Sequence, residues 1–207
     1  MNWVKHLAFV AIALAVQLVP VTPVSAQVPA DITREWIRNT FLHRYDILPD
    51  STEERKAAEW RTVRHRPEVF DILIYFAEAD GETFVVRANA IVYLGNTGHR
   101  RAFAYLFDLL SRLPEGDPYR VNAALGIGSG REHTPEEGYV HLERLLNGSD
   151  LRERRAAADA LGVSGTARAQ AMLRRAAGRE RDSFIRASIQ ENLLRAERQA
   201  AHAPPSP

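Results

Sequence analysis

Four arginines recur through the chain at a nearly constant interval, and that interval limits the fold more than any other feature. Arg87, Arg120, Arg154 and Arg186 stand 33, 34 and 32 residues apart. In the same frame Ala90, Ala123, Ala157 and Ile189 align, as do Leu94, Ile127, Leu161 and Leu193. Gly95, Gly128 and Gly162 close the first three units. A repeat of this length is one supersecondary unit that cannot bury its apolar face alone, so neighbouring units must stack. Arg55, 32 residues before Arg87 and followed by Lys56-Ala57-Ala58, marks a degenerate earlier unit.

Each unit reads as two helices. The first starts at a residue whose side chain can satisfy free amide hydrogens: Ser51 with Glu54 three later, then Thr83, Asp117, Asp150 and Asp182. It ends in a glycine-bearing turn, at Leu94 to Gly98, Ile127 to Gly130 and Leu161 to Gly165, where glycine accepts a left-handed backbone. Second helices are expected over about 67–79, 100–113, 135–146 and 167–177. The apolar spacing of Tyr139, Leu142, Leu145 and Leu146 is helical. No segment shows sustained strand-like alternation between hairpin turns. An opening helix over about 32–45, with Trp36, Ile37, Phe41 and Leu42, would cap the stack.

Three stretches, Val86-Arg87-Ala88-Asn89-Ala90 with Leu94-Gly95, Tyr119 to Ala124, and Arg154 to Gly162, resemble HEAT repeats. The likeness is to the short HEAT-like form also seen in phycobilisome lyases. It runs well from Phe84 to about Arg198 and weakly over 51–79. It implies an all-α fold, an α-solenoid of stacked antiparallel helical hairpins, presenting a surface built from its second helices. It implies almost nothing about chemistry, because such arrays serve unrelated partners. The fourth unit departs from the pattern: no Leu-Gly turn follows Leu193, so one terminal helix would cap the array.

Residues 1–26 stand outside this pattern. Lys5, the apolar run Leu7 to Val19, and Val24-Ser25-Ala26 have the order of a cleavable signal peptide, with a retained anchor as the alternative. The expected organisation is therefore a signal peptide over 1–26, a cap segment over 27–50, a repeat array over 51–198 and a disordered, proline-bearing tail over 199–207. Export to the periplasm or the medium follows. Without residues 1–26 the chain has 26 Lys plus Arg and 26 Asp plus Glu, so no global charge calls for nucleic acid. No cysteine is present, which excludes a lipidated cysteine, thiolate metal sites and thiol catalysis.

Catalytic and cofactor signatures are weak. Glu137 and His141 share a helix face near His133, but a zinc site needs at least three protein ligands. Gly126-Ile127-Gly128-Ser129-Gly130 follows a helix and lacks Gly-Lys-Ser/Thr, so it reads as an inter-helix turn. No catalytic, cofactor-binding or metal-ligating residue is assigned, and no cofactor is expected. The repeated arginines read as a structural Asp–Arg ladder between units, with anion capture as the other reading.

Mapping charge onto the turns separates two edges. Turns within hairpins carry Arg64-His65-Arg66, His99-Arg100-Arg101, Arg131 with His133, and Arg168. Turns between hairpins carry Asp50, Asp80, Glu82, Glu115, Asp117, Asp150, Glu180 and Asp182. Helix dipoles account for the acids and for Arg64, but not for Arg100, Arg101 or Arg168 near helix starts. Arg64, Arg66, Arg100, Arg101, Arg131 and Arg168, with Tyr105 and Tyr139, are the candidate contacts for an unidentified protein partner with an acidic surface. The chain reads as a non-catalytic interaction scaffold in the cell envelope, with no transmembrane segment after cleavage. A small lyase-type enzyme or ligand-binding protein using the concave groove is the alternative.

Overall fold

A computed structural model of the chain describes residues 29–42 and 50–202. The expected signal peptide, the segment 43–49 and residues 203–207 lie outside the described residues. Within them all regular structure is helical, without strands: ten α-helices and two short turns of other pitch. The helices are α1 (Arg34–Ile37), α2 (Asp50–Val63), α3 (Pro67–Glu78), α4 (Phe84–Asn96) and α5 (Arg100–Arg112). They continue with α6 (Pro118–Ser129), α7 (Glu136–Leu146), α8 (Leu151–Ser164), α9 (Ala167–Ala177) and α10 (Ser183–His202). No described helix is long and apolar enough to cross a membrane.

Local chemistry sets where the helices begin. Thr83 accepts from Val86 N, and Asp117 accepts from Tyr119 N at 2.8 Å. Asp150 accepts from Arg152 N and Glu153 N, and Asp182 from Phe184 N and Ile185 N at 3.0 Å each. Each acceptor fills one of the amide vacancies at a helix start. The opening helix starts at Arg34, and residues 43–45 of its expected span lie outside the described residues. It is α-helical only over Arg34–Ile37 and then widens into a π-turn over Arg38–Leu42. That extra residue per turn lets Ile37, Phe41 and Leu42 all point into the core. At the other end α10 runs through residues 199–202, where a disordered tail is expected. Gln199-Ala200-Ala201 are good helix formers, and the first proline comes only at Pro204.

The first helices of successive units pack on one another, α4 on α6, α6 on α8 and α8 on α10. Their approach is at backbone distance. A Cβ on Gly95 would lie 1.7 Å from the carbonyl oxygen of Gly126, and one on Gly128 would lie 2.2 Å from that of Ala160. These glycines therefore sit inside helices, where they admit a neighbouring backbone. In the expected turns the left-handed glycines are Gly98 and Gly165, with φ of 66°, whereas Gly130 stays right-handed with φ of −67°. The second helices meet through longer side chains instead. Phe107 of α5 stacks on His141 of α7 at 4.8 Å, and Arg175 of α9 reaches Glu143 of α7 at 3.4 Å.

One apolar core links all these elements, from Ile37 to Ile189. The positions that define the repeat are its deepest: Ala90, Ala123, Ala157 and Ile189, with Leu94, Ile127 and Leu161, are all fully buried or nearly so. Leu193, in the unit that lacks the Leu-Gly turn, is only partly buried. Ring contacts pin the opening segment to the array. Phe41 meets Trp36, Trp60 and Tyr93, and Trp60 meets Tyr93 at 4.6 Å.

Candidate functional site

The repeated arginines are consumed by the fold. Arg87 Nε donates to Ala77 O, and Arg120 Nη1 donates to the carbonyls of Leu110 and Leu113. Arg154 Nη1 bonds Gly148 O and Ser149 O, and Arg186 bonds Glu180 O and Arg181 O. Each guanidinium thus closes carbonyls left free where the preceding helix ends. Two also reach the next unit's acid, Arg120 in a fork on Glu153 at 2.6 and 3.0 Å and Arg154 through Nε alone on Glu180 at 3.0 Å. A ladder exists, but its hydrogen-bonded acids are Glu153 and Glu180, Asp80 stands 3.9 Å from Arg87, and backbone carbonyls are the constant partners.

Most of the acidic edge is committed too, Asp80 being fully exposed and 3.9 Å from Arg87. Asp117, Asp150 and Asp182 cap helices, and Glu82 takes both Nε and Nη2 of Arg38 at 2.9 Å. Glu115 accepts from the Ser149 hydroxyl and from Asp150 N, and these bonds, the hydroxyl first, hold its pKa below the usual carboxylate range. The side chain of Asp50 lies outside the described residues.

Along the basic edge the candidates divide. Arg66 bonds Glu68 Oε1 at 2.6 Å, and Arg168 pairs with Glu136 while lying over the Tyr139 ring. Arg101 lies over Phe70 with Asp71 at 4.0 Å. Arg100 is exposed, and no carboxylate stands within 4.0 Å of it among the described residues. The two tyrosines are not presented for contact. Tyr139 is 6 % exposed, and its hydroxyl bonds Ser164 Oγ at 3.1 Å and Thr166 Oγ1 at 3.0 Å. The Tyr105 hydroxyl is buried without a hydrogen-bond partner; burial first, then the nearby Glu78 carboxylate, pushes its pKa up to about 12.

What remains of the basic edge converges on one pocket of about 400 Å³. Arg61 of α2, Arg64 in the turn after it, Asn96 of α4, Ser129 of α6, Arg131 and His133 line it, and among the described residues no carboxylate does. Arg61 Nε donates to Ala57 O, and Arg64 Nε to His65 Nε2. Trp60, 7 % exposed, forms part of the wall, and its Nε1 is buried with no acceptor. Sequence reasoning reached Arg64 and Arg131 but missed Arg61, Asn96 and Trp60. Arg64, Asn96 and Ser129 stand at one position of the repeat frame, which is the signal that connects them.

A second surface lies on the first-helix side. Phe84, Pro118, Val121 and Leu125 line a groove with Arg152 and Arg155. Phe84 is 44 % exposed and Phe184 64 %, each one or two residues into its helix. The histidine–glutamate pair of α7 has a structural role: His141 stacks on Phe107, and burial first, then Arg144, lowers its pKa. Among the described residues no three His, Cys, Asp or Glu side chains come together as metal ligands. No protein-family model matches the chain, and no curated protein matches it significantly.

Proposed function

We propose that the chain is a non-catalytic binding module: an exported, HEAT-like α-solenoid of helical hairpins that holds an acidic protein partner in the cell envelope through its basic edge. The observation that carries this reading is an asymmetry between the two edges. Acids on one edge are spent on helix caps and inter-unit bonds, whereas Arg61, Arg64, Arg100 and Arg131 on the other lack a carboxylate within 4.0 Å among the described residues. Guanidinium groups at helix ends and turns with no carboxylate partner are suited to steering and gripping an anionic surface. The alternation of tightly packed first helices with more widely spaced second helices supports the solenoid reading, with the first helices on the inner side of any bend.

The test is a pull-down from the native envelope after crosslinking, read for one stoichiometric protein. Arg100→Glu with Arg101→Glu should weaken that interaction, and raised salt should do the same. A partner retained equally by the doubly substituted chain would sink the reading.

A second reading, a small-ligand-binding protein, is favoured by one observation: the basic-edge pocket gathers polar donors from three helices around a single opening.

A further inference from the structure

Among the described residues, the side chains lining the pocket on the basic edge carry more positive charge than their surroundings neutralise. It opens where α2, α4 and α6 end, and a helix C-terminus carries about half a negative charge. Three such ends offset about half of the charge on Arg61, Arg64 and Arg131, leaving a surplus of about one and a half positive charges. Dipole complementation therefore explains part of this cluster and not the rest.

Arg131 adds a conformational argument. Gly98, Arg131 and Gly165 occupy one position of the repeat frame, eleven residues after Arg87, Arg120 and Arg154. All three take a left-handed backbone, with φ of 66°, 52° and 66°. The flanking units use glycine, as sterics favour. The middle unit keeps an arginine, the only non-glycine with positive φ among the described residues. Its side chain has no hydrogen bond or ion pair there that would repay the strain. Such a local penalty without structural return is characteristic of a functional position.

We infer that this pocket binds a phosphate monoester. The inference rests on reading the basic edge as a binding surface, and it names the chemistry of the ligand. A phosphate monoester carries close to two negative charges near neutral pH, which matches the surplus, whereas a carboxylate or phosphodiester carries one. Its oxygens accept from paired guanidinium nitrogens in fork geometry. A volume of about 400 Å³ leaves room for an organic group behind the phosphate.

Calorimetric titration of the purified chain with phenyl phosphate, and with dimethyl phosphate as a singly charged diester, tests this. Phenyl phosphate should bind at one site per chain and more tightly than the diester. Arg64→Gln with Arg131→Gln should weaken it about tenfold or more. Arg131→Gly should also weaken it while remaining folded, which separates lost binding from lost structure. Arg100→Gln with Arg101→Gln, outside the pocket, should leave it unchanged. Phosphatidylcholine vesicles containing phosphatidic acid, whose headgroup is the same monoester, distinguish the source. Sedimentation with those vesicles, without heat from phenyl phosphate, assigns the phosphate to a lipid surface, and the converse assigns it to a soluble molecule. Binding to neither, equal affinity for the diester, or equal weakening by the Arg100/Arg101 changes overturns the proposal. These measurements use the isolated chain, so their failure leaves the protein-partner reading standing. Loss of the partner reading, in turn, leaves them interpretable.

Discussion

At the scale of the residue, arginine has two fates in this chain. Those that define the repeat are tied to the carbonyls of a preceding turn and, at Arg120 and Arg154, to glutamates, whereas those at the basic-edge pocket have no carboxylate partner among the described residues. The distinction is sharpest at Arg131, whose left-handed backbone costs about 1 kcal/mol or somewhat more. Arg131→Gly should relieve that strain, against about 0.5–1 kcal/mol of added unfolded-chain entropy. The urea midpoint should therefore hold steady or rise, by up to about 1 kcal/mol in stability. A clear fall would mean that the guanidinium is bonded within the fold. Arg131 was legible in the sequence as a turn cation. Its backbone was not, because the preceding Gly130 looks like the residue that turns, yet it stays right-handed with φ of −67°.

Between elements, backbone-distance packing and forked ion pairs do most of the joining. Gly95→Ala improves helix propensity by about 1 kcal/mol. The added Cβ, however, meets a backbone carbonyl at 1.7 Å that has no rotamer to escape into. The clash should dominate, with a net loss of at least about 2 kcal/mol in chemical denaturation. Gly81→Ala, with nothing within 4 Å, is the control and should stay within about 0.5 kcal/mol. The arginine ladder makes a graded prediction of its own. Arg120→Ala strands Glu153, which is 3 % exposed, and should cost about 3–5 kcal/mol. Arg87→Ala loses a carbonyl bond and a 3.9 Å pair with a fully exposed Asp80, and should cost about 1–2 kcal/mol. Similar losses for the two would overturn this account of the ladder. Helix boundaries were readable because capping is local: Thr83, Asp117, Asp150 and Asp182 all act within three residues. The role of Gly95 and Gly128 and the burial of Tyr139 were not, because each is decided by a partner 25 or more residues away.

For the whole molecule, charge placement sets the response to acid. His141 has a lowered pKa because it is buried, so stability is complete above its ordinary value of about 6.5 and declines as pH falls through the lower folded-state value. Glu115 and Asp150 are also lowered, by hydrogen bonds from Ser149 and from the amides of the α8 start, and their contributions disappear at still lower pH. Thermal midpoints measured from pH 7.5 downward should fall in two stages, and His141→Phe should flatten the upper one. A wild-type curve without that upper stage would count against the buried histidine. The all-helical architecture and its frame were readable from periodicity, since Ala90, Leu94 and their equivalents are the deepest core positions. The pocket was only half readable, because Arg61 and Trp60 come from the degenerate unit, where the frame is faint. The contrast between the two helix rows has a mechanical consequence. Small residues set the spacing in one row and Phe103, Leu106, Phe107 and Leu142 fill the other, so each unit is a wedge whose taper is written in side-chain volume. For the solenoid proposed above, trimming or enlarging those side chains would change the radius of the array before it changed any single contact at its surface.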